Sequence, residues 1–186
     1  QGWKIITLTL DVGQPEDISA IAARSKECGA VSHHSLDVRE EFISDYVLPA
    51  IKANALYQGV YPVGTSIARP LMAKKAVEIA RSVGAGAIAH GCTGKGNDQV
   101  RFDILVKSLA PDLKVIVPVR EWNMGRDGEI EYCKSHGITV SEKKSQFSVD
   151  ENFWGRSAEC GILEDPWEEA PEEAFEWTKS VDDAPD

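Results

Sequence analysis

Residues 91–102 bring together more groups capable of chemistry than any other stretch of the chain. Gly91, Gly94 and Gly96 are interspersed with Thr93, Lys95, Asn97, Asp98 and Arg101. Glycines let a backbone pass close to a ligand, and the exposed N–H groups of such a turn can cradle phosphate or carboxylate oxygens. A helix starting just beyond the turn adds its positive end to the same spot. The run is not a Walker A loop, because Lys95 is followed by Gly96 instead of Ser or Thr. The plainer alternative is a tight strand-to-helix turn capped by Asn97 or Asp98. The crowding of Thr93, Asn97, Asp98 and Arg101 onto the turn and the first helical turn favours a ligand site.

Two further segments carry polar groups. In residues 61–70, Tyr61 and Ser66 present hydroxyls beside Gly64, Arg69 and Pro70. They could meet a polar substrate, or Thr65 or Ser66 could simply cap the next helix; spacing alone leaves both open. Residues 147–157 form a polar stretch holding Ser148, Ser157 and the aromatics Phe153 and Trp154. Such loops are often plain packed surface, yet they carry function more often than chance.

The elements that must position these groups alternate in type. Apolar and β-branched runs predict strands at 4–10, 30–36, 85–90 and 113–119. Helical spacing predicts helices at 18–28, 39–54, 67–83, 99–109 and 129–135. Pro49 kinks or splits the second of these, and its apolar side is expected to be Phe42, Ile43, Tyr46, Val47 and Ile51. Everything after residue 137 reads as irregular. Alternating strands and helices imply a Rossmann-like α/β fold, a parallel sheet with helices on both faces. In such sheets ligands gather at the carboxyl ends of the strands. That rule selects the loop at 11–14, the turn at 91–98 and the loop after Val119.

Considered together, these segments closely resemble the argininosuccinate synthase family. The resemblance runs in order through Asp11-Val12-Gly13-Gln14, Asn54-Ala55-Leu56-Tyr57, the 61–70 segment and the whole of Ala89 to Phe102. It continues through Arg120-Glu121-Trp122, Asp150-Glu151-Asn152 with Trp154 to Ser157, Gly161 to Trp167, and Asp183-Ala184-Pro185. It implies an adenine-nucleotide-hydrolase-like domain of the ATP-pyrophosphatase type over residues 1–145, and the start of a synthetase domain in the acidic, loop-rich residues 146–186. It also implies a ligase that uses ATP, with Mg²⁺ on the phosphates, to join citrulline to aspartate in arginine biosynthesis, working as a cytoplasmic homotetramer.

Carried over position by position, the resemblance implies citrulline contacts at Tyr61, Ser66, Asn97, Arg101, Ser148 and Ser157. Aspartate contacts fall at Thr93, Asn97 and Asp98, with Asp98 holding the ammonium and Arg101 gripping a carboxylate. ATP contacts fall at Gly91 and at Leu10, where the family usually has alanine. Asp98 and Arg101 are the expected catalytic pair. The family's first strand and its Ser-Gly-Gly-x-Asp-Thr-Ser phosphate loop find no match before Lys4, and its C-terminal domain none after Asp186. The chain is therefore expected to be an internal stretch, with unpaired strand edges and no turnover by itself. The alternative is a non-catalytic amino-acid-binding module on the same fold.

Composition narrows the classes. Of 30 acids and 20 Lys and Arg, residues 159–186 hold 11 acids against Lys179 alone, so residues 1–158 are balanced. A neutral body lacks the basic face that nucleic-acid binding needs. The sequence offers no apolar run of the ~18 residues that span a bilayer and no secretory leader. Its four cysteines form no Cys-x-x-Cys pair, and neither they nor the four histidines show zinc-ligand spacing. A reducing compartment and no protein-bound metal are expected.

Overall fold

The computed structural model describes residues 2–92, 96–122, 125–139, 146–180 and 183–184. The first strand, β1 (Ile6–Asp11), runs into a loop and then helix α1 (Ile18–Glu27), whose N-terminus is capped by the Asp17 carboxylate accepting from the Ser19 and Ala20 amides. Strand β2 (Ser32–Asp37) returns parallel to β1, with Leu10 opposite Leu36.

The predicted helix at 39–54 is two short helices, α2 (Arg39–Phe42) and α3 (Leu48–Lys52), joined by one widened π turn at Ile43–Val47. Pro49 has no N–H for the carbonyl four residues earlier, so the chain opens its spacing there instead of holding α-helical bonds. The widening also rotates the far end. Phe42 and Val47 are buried as expected, but Ile51 is 49% exposed and leaves the predicted apolar side.

Helix α4 (Gly64–Ser82) is the longest element. It leads to β3 (Ala87–Ala89), α5 (Asn97–Leu109) and β4 (Lys114–Ile116), and β3 and β4 pair in parallel. The fourth strand is shorter than its apolar run suggested, because Pro118 opens a further helix, α6 (Pro118–Trp122). A proline fits there because the first turn of a helix needs no N–H from it. Helix α7 (Arg126–Ser135) follows.

The segment read as irregular contains an antiparallel hairpin, β5 (Ser148–Asn152) and β6 (Gly155–Glu159), closed by Phe153 and Trp154. Its strands, Ser-Val-Asp-Glu-Asn and Gly-Arg-Ser-Ala-Glu, lack the β-branched alternation that marks a strand. Short turns at Gly161–Glu164 and Glu172–Ala174 complete the described chain.

The class is α/β with parallel pairing. Among the described residues, however, β1–β2 and β3–β4 form separate two-stranded ladders with no hydrogen bonds between them. Within the described residues each of these four strands therefore pairs along one edge alone. Helix α4 joins the two pairs: Ala68 and Leu71 pack with Leu10, Val12, Val38, Phe42 and Val47, whereas Ala73, Val77 and Ala80 pack with Val106, Ala110 and Leu113. Among the described residues no helix is long and apolar enough to cross a membrane.

Truncating Phe42, which is fully buried, to alanine is expected to cost about 3–5 kcal/mol of folding stability. Ile51→Ala, at its half-exposed position, should change stability by no more than about 0.5 kcal/mol. Urea midpoints of the two purified variants check this; equal losses would mean that the helix keeps its predicted regular face.

Candidate functional site

Helix α5 is preceded by Gly96 at its N-cap, and no side chain caps it. Asp98 is thus not spent on helix capping, which was the plainer expectation. Its carboxylate instead lies between two guanidinium groups. Arg69 donates to Oδ2 through Nε at 2.8 Å, with Nη2 at 2.6 Å from the same oxygen, and Arg101 donates to Oδ1 through Nη1 at 2.7 Å. Partial burial pushes the Asp98 carboxyl up, but the hydrogen bonds and charges of Arg69, and then of Arg101, outweigh it. The net effect holds Asp98 below the usual carboxylate range. Such a group is a poor base and a good anchor for a cation.

The 61–70 segment resolves the same way. The residue before α4 is Val63, in the left-handed region at φ 53°, and no side chain caps the helix. A β-branched residue there is strained by about 1–3 kcal/mol, so the surroundings must enforce it. Thr65 and Ser66 therefore lie inside the first turn and are not caps. Pro70, within the helix, has no N–H to return to the Ser66 carbonyl, which leaves a backbone acceptor beside the Ser66 hydroxyl. Ser66 and Arg69 are one turn apart on the same face.

The hairpin closes over this rim. Phe153 N–H donates to the Val12 carbonyl at 2.9 Å, and the Trp154 indole donates to the Pro62 carbonyl at 2.7 Å. The Asn152 side chain is buried and packs against Gly64. Gly13, at φ 90°, lies so close under Phe153 that an added Cβ would fall 2.9 Å from the Phe153 Cβ. In register, Asp150 faces Ser157, and Ser148 lies two residues before Asp150 on the same strand face. Asp150 Oδ1 stands 3.8 Å from Arg69 Nη2, which turns that face toward α4. Val12, Thr65, Ala68, Arg69, Met72 and Asp150 to Asn152 enclose a space of about 30 Å³ there, room for about one water molecule. A far larger open depression, about 590 Å³, lies elsewhere between Asp37, Arg39, Ser44, Leu48 and Phe153. Size favours the depression, but Arg39 there is committed to Asp37 and Asp11, and the candidate site residues lie outside it. The convergence of polar groups decides for the smaller space.

The structure thus joins Asp98 and Arg101 directly, and brings Ser66, Ser148 and Ser157 to the same rim through Arg69 and Asp150. Asn97 is exposed at the first turn of α5. Tyr61 is half-buried, and its carbonyl accepts from the Tyr57 amide at 2.8 Å. Gly91 is exposed just past β3, whereas the Leu10 side chain is buried in the core and its carbonyl accepts from Gln14 Nε2 at 2.7 Å. Among the described residues no hydrogen bond or ion pair links Tyr61, Leu10 or Gly91 to Asp98. Thr93 lies outside the described residues.

Comparison with known proteins identifies the family. Residues 1–139 match the family model described as the arginosuccinate synthase N-terminal HUP domain, and residues 147–186 match the model of the C-terminal domain of the same synthase. The chain belongs to the argininosuccinate synthase family. It is 56% identical to the argininosuccinate synthase of Pyrococcus furiosus over 185 residues, covering all of this chain and 45% of that protein. It is 53% identical to that of Geobacillus thermodenitrificans (all of the chain, 46% of the relative) and 54% identical to that of Pyrobaculum aerophilum (99% and 46%). The chain therefore spans a little under half the length of these relatives.

The structure places further residues near these groups to which the sequence reading gave no role. Arg69 stood within a noted segment without a role, although its spacing from Ser66 on a helix was a usable signal. Asp150 was hidden because its hairpin was not foreseen. His90 is a third case. Its ring stacks on Phe102 with centroids 5.3 Å apart, and Nε2 lies 3.3 Å from Asp103 Oδ1. Nδ1 accepts from the Cys92 amide at 3.4 Å, which assigns the ring proton to Nε2. Arg120 closes the cluster on Asp103 at 3.1 Å. Partial burial raises the Asp103 carboxyl, but hydrogen bonds from Arg120 and His90 bring it net below its ordinary value. Together these groups tie the end of β3 to α5 and α6.

Gly13→Ala should lower stability through both its backbone angle (about 1–2 kcal/mol) and its clash with Phe153 (about 1–3 kcal/mol). Adding Phe153→Ala should recover only the share of the clash made by the ring, because alanine keeps the Cβ that lies 2.9 Å from the added methyl. A double-mutant cycle in urea unfolding checks this, and strict additivity would mean that the hairpin does not rest on Gly13.

Proposed function

We propose that the full-length protein containing this chain ligates citrulline and aspartate to argininosuccinate at the expense of ATP, releasing AMP and pyrophosphate as an enzyme of arginine biosynthesis. The observation that carries this reading is the Asp98 carboxylate held between Arg69 and Arg101 at the end of the glycine-rich turn, beside the serine-bearing face of the hairpin.

A ureido carbon is a poor electrophile. The citrulline ureido oxygen attacks the α-phosphorus of ATP, and the bond to pyrophosphate breaks. The resulting citrullyl-adenylate carries a good leaving group. The aspartate amine, once deprotonated, attacks the ureido carbon, and the C–O bond to AMP breaks. The protein's work is positioning and charge compensation. Arg101 grips the citrulline carboxylate, with Tyr61, Ser66, Asn97, Ser148 and Ser157 fixing the rest of that substrate. Asp98 holds the aspartate ammonium, assisted by Thr93 and Asn97. Gly91 and the backbone at Leu10 border the nucleotide; the Leu10 side chain, buried in the core, is not available to it.

The site's carboxylate does not fit a protein-bound Mg²⁺, since both Asp98 oxygens already serve guanidinium groups. Mg²⁺ therefore enters as the companion of the ATP phosphates, and no step runs through it. Residues 1–145 belong to the nucleotide-binding domain, with a further strand of the full-length protein adding to the unpaired edges. Residues 146–186 open the synthetase domain of a cytoplasmic homotetramer.

The test is pyrophosphate release by the full-length protein. It should require ATP, citrulline and aspartate together for argininosuccinate formation. Release without citrulline would overturn the reading, and amino-acid binding with no nucleotide turnover would favour a binding module.

A further inference from the structure

Arg69 and Arg101 share Asp98 unequally. Arg69 places two nitrogens within hydrogen-bond distance of Oδ2, at 2.8 and 2.6 Å. Its third nitrogen, Nη1, donates to Met72 Sδ at 3.3 Å, and Nη2 also faces Asp150 at 3.8 Å. Every nitrogen of this guanidinium is thus engaged within the protein, by partners on α4, α5 and β5. Its side chain is only 21% exposed, so its orientation is fixed by packing as well as by charge. Among the described residues Arg101 is different: it gives Asp98 a single N–H, from Nη1 to Oδ1 at 2.7 Å. One bond is a small commitment for a fork with five donors.

This asymmetry suits a hand-over. When Arg101 turns to a substrate carboxylate, Oδ1 loses its partner and becomes the free acceptor for an ammonium. Oδ2 stays held. The carboxylate then remains charged, and its plane remains set, at the moment the second amino acid arrives. Without Arg69, the departure of Arg101 would leave a half-buried carboxylate with neither partner nor fixed direction.

Resting on the function proposed above, we propose that Arg69 is a positioning residue for the second half-reaction: it holds Asp98 in place for the incoming amine while Arg101 binds the first substrate's carboxylate, and it ties both to the hairpin through Asp150. Arg69 itself touches neither substrate.

The experiment compares Arg69→Gln and Arg69→Lys with the wild type in the full-length protein, with two readouts. Citrulline-dependent exchange of labelled pyrophosphate into ATP, without aspartate, reports adenylation. Argininosuccinate formation reports the amine attack. In Arg69→Gln, exchange should stay within about threefold of wild type, while kcat/KM for aspartate falls by about 10- to 100-fold, the scale of a misplaced reacting group. Arg69→Lys should recover part of that loss, because a point charge can hold Oδ2 but cannot also span to Asp150. Equal losses in both readouts, no loss in either, or failure of both variants to fold would overturn the proposal and leave Arg69 a scaffold residue. Absence of citrulline-dependent exchange in the wild type would instead overturn the proposed function, so the two failures are distinguishable.

Discussion

Helix α4 is the constraint on which the rest depends, because among the described residues it is the one helix that belongs to both apolar clusters. Its first half packs on the β1–β2 pair through Ala68 and Leu71, and its second half on α5 and the β3–β4 side through Ala73, Val77 and Ala80. The alanines keep the helix close to its neighbours, and close packing resists displacement. Ser66 and Arg69, in its first turns, therefore inherit their positions from both clusters at once. The strained Val63 and the buried Gly64 mark the cost of starting the helix at that point.

The hairpin is set by the same logic with different materials. Its strands are too polar to supply a core of their own, so its place depends on contacts at its tip. Phe153 reaches the loop after β1, Trp154 the loop before α4, and Asn152 the surface of Gly64. These three contacts fall on the carboxyl end of β1 and the start of α4, so docking the tip also delivers Ser148, Asp150 and Ser157 to the rim. Arg156 secures the outer side of β6, with Nη1 donating to the Ala174 carbonyl at 2.5 Å and Nε 3.2 Å from Glu151. Charge is nearly balanced at the rim: Arg69 and Arg101 stand against Asp98 and Asp150. An arriving carboxylate and an arriving ammonium can exchange partners with such a set without leaving an unpaired buried charge.

Much of this was legible in the sequence, for identifiable reasons. The strand at 4–10 and the helices around 67–83 and 99–109 carry strong periodicity, and they form with shifts of a few residues. Asp98 and Arg101 drew notice as part of a dense polar cluster, and the structure pairs them directly. The π turn before Pro49 follows from a missing N–H, yet its rotation of Ile51 into solvent depends on packing that a periodic count does not see. The hairpin was invisible because its strands are held by tip contacts more than 80 residues away in sequence, such as Trp154 on Pro62, and not by β propensity. Arg69 was missed for a related reason: its partners on α5 and β5 come together only through the fold.

The most direct test of the account is a crystal structure of the full-length protein with citrulline and aspartate bound. The citrulline carboxylate is expected on Arg101 and the aspartate ammonium on Asp98 Oδ1, with Arg69 unmoved on Oδ2 and the hairpin tip still seated on Val12 and Pro62. Amino acids bound instead over the open depression at Asp37, Arg39 and Phe153, or a hairpin lifted from those two carbonyls, would contradict it.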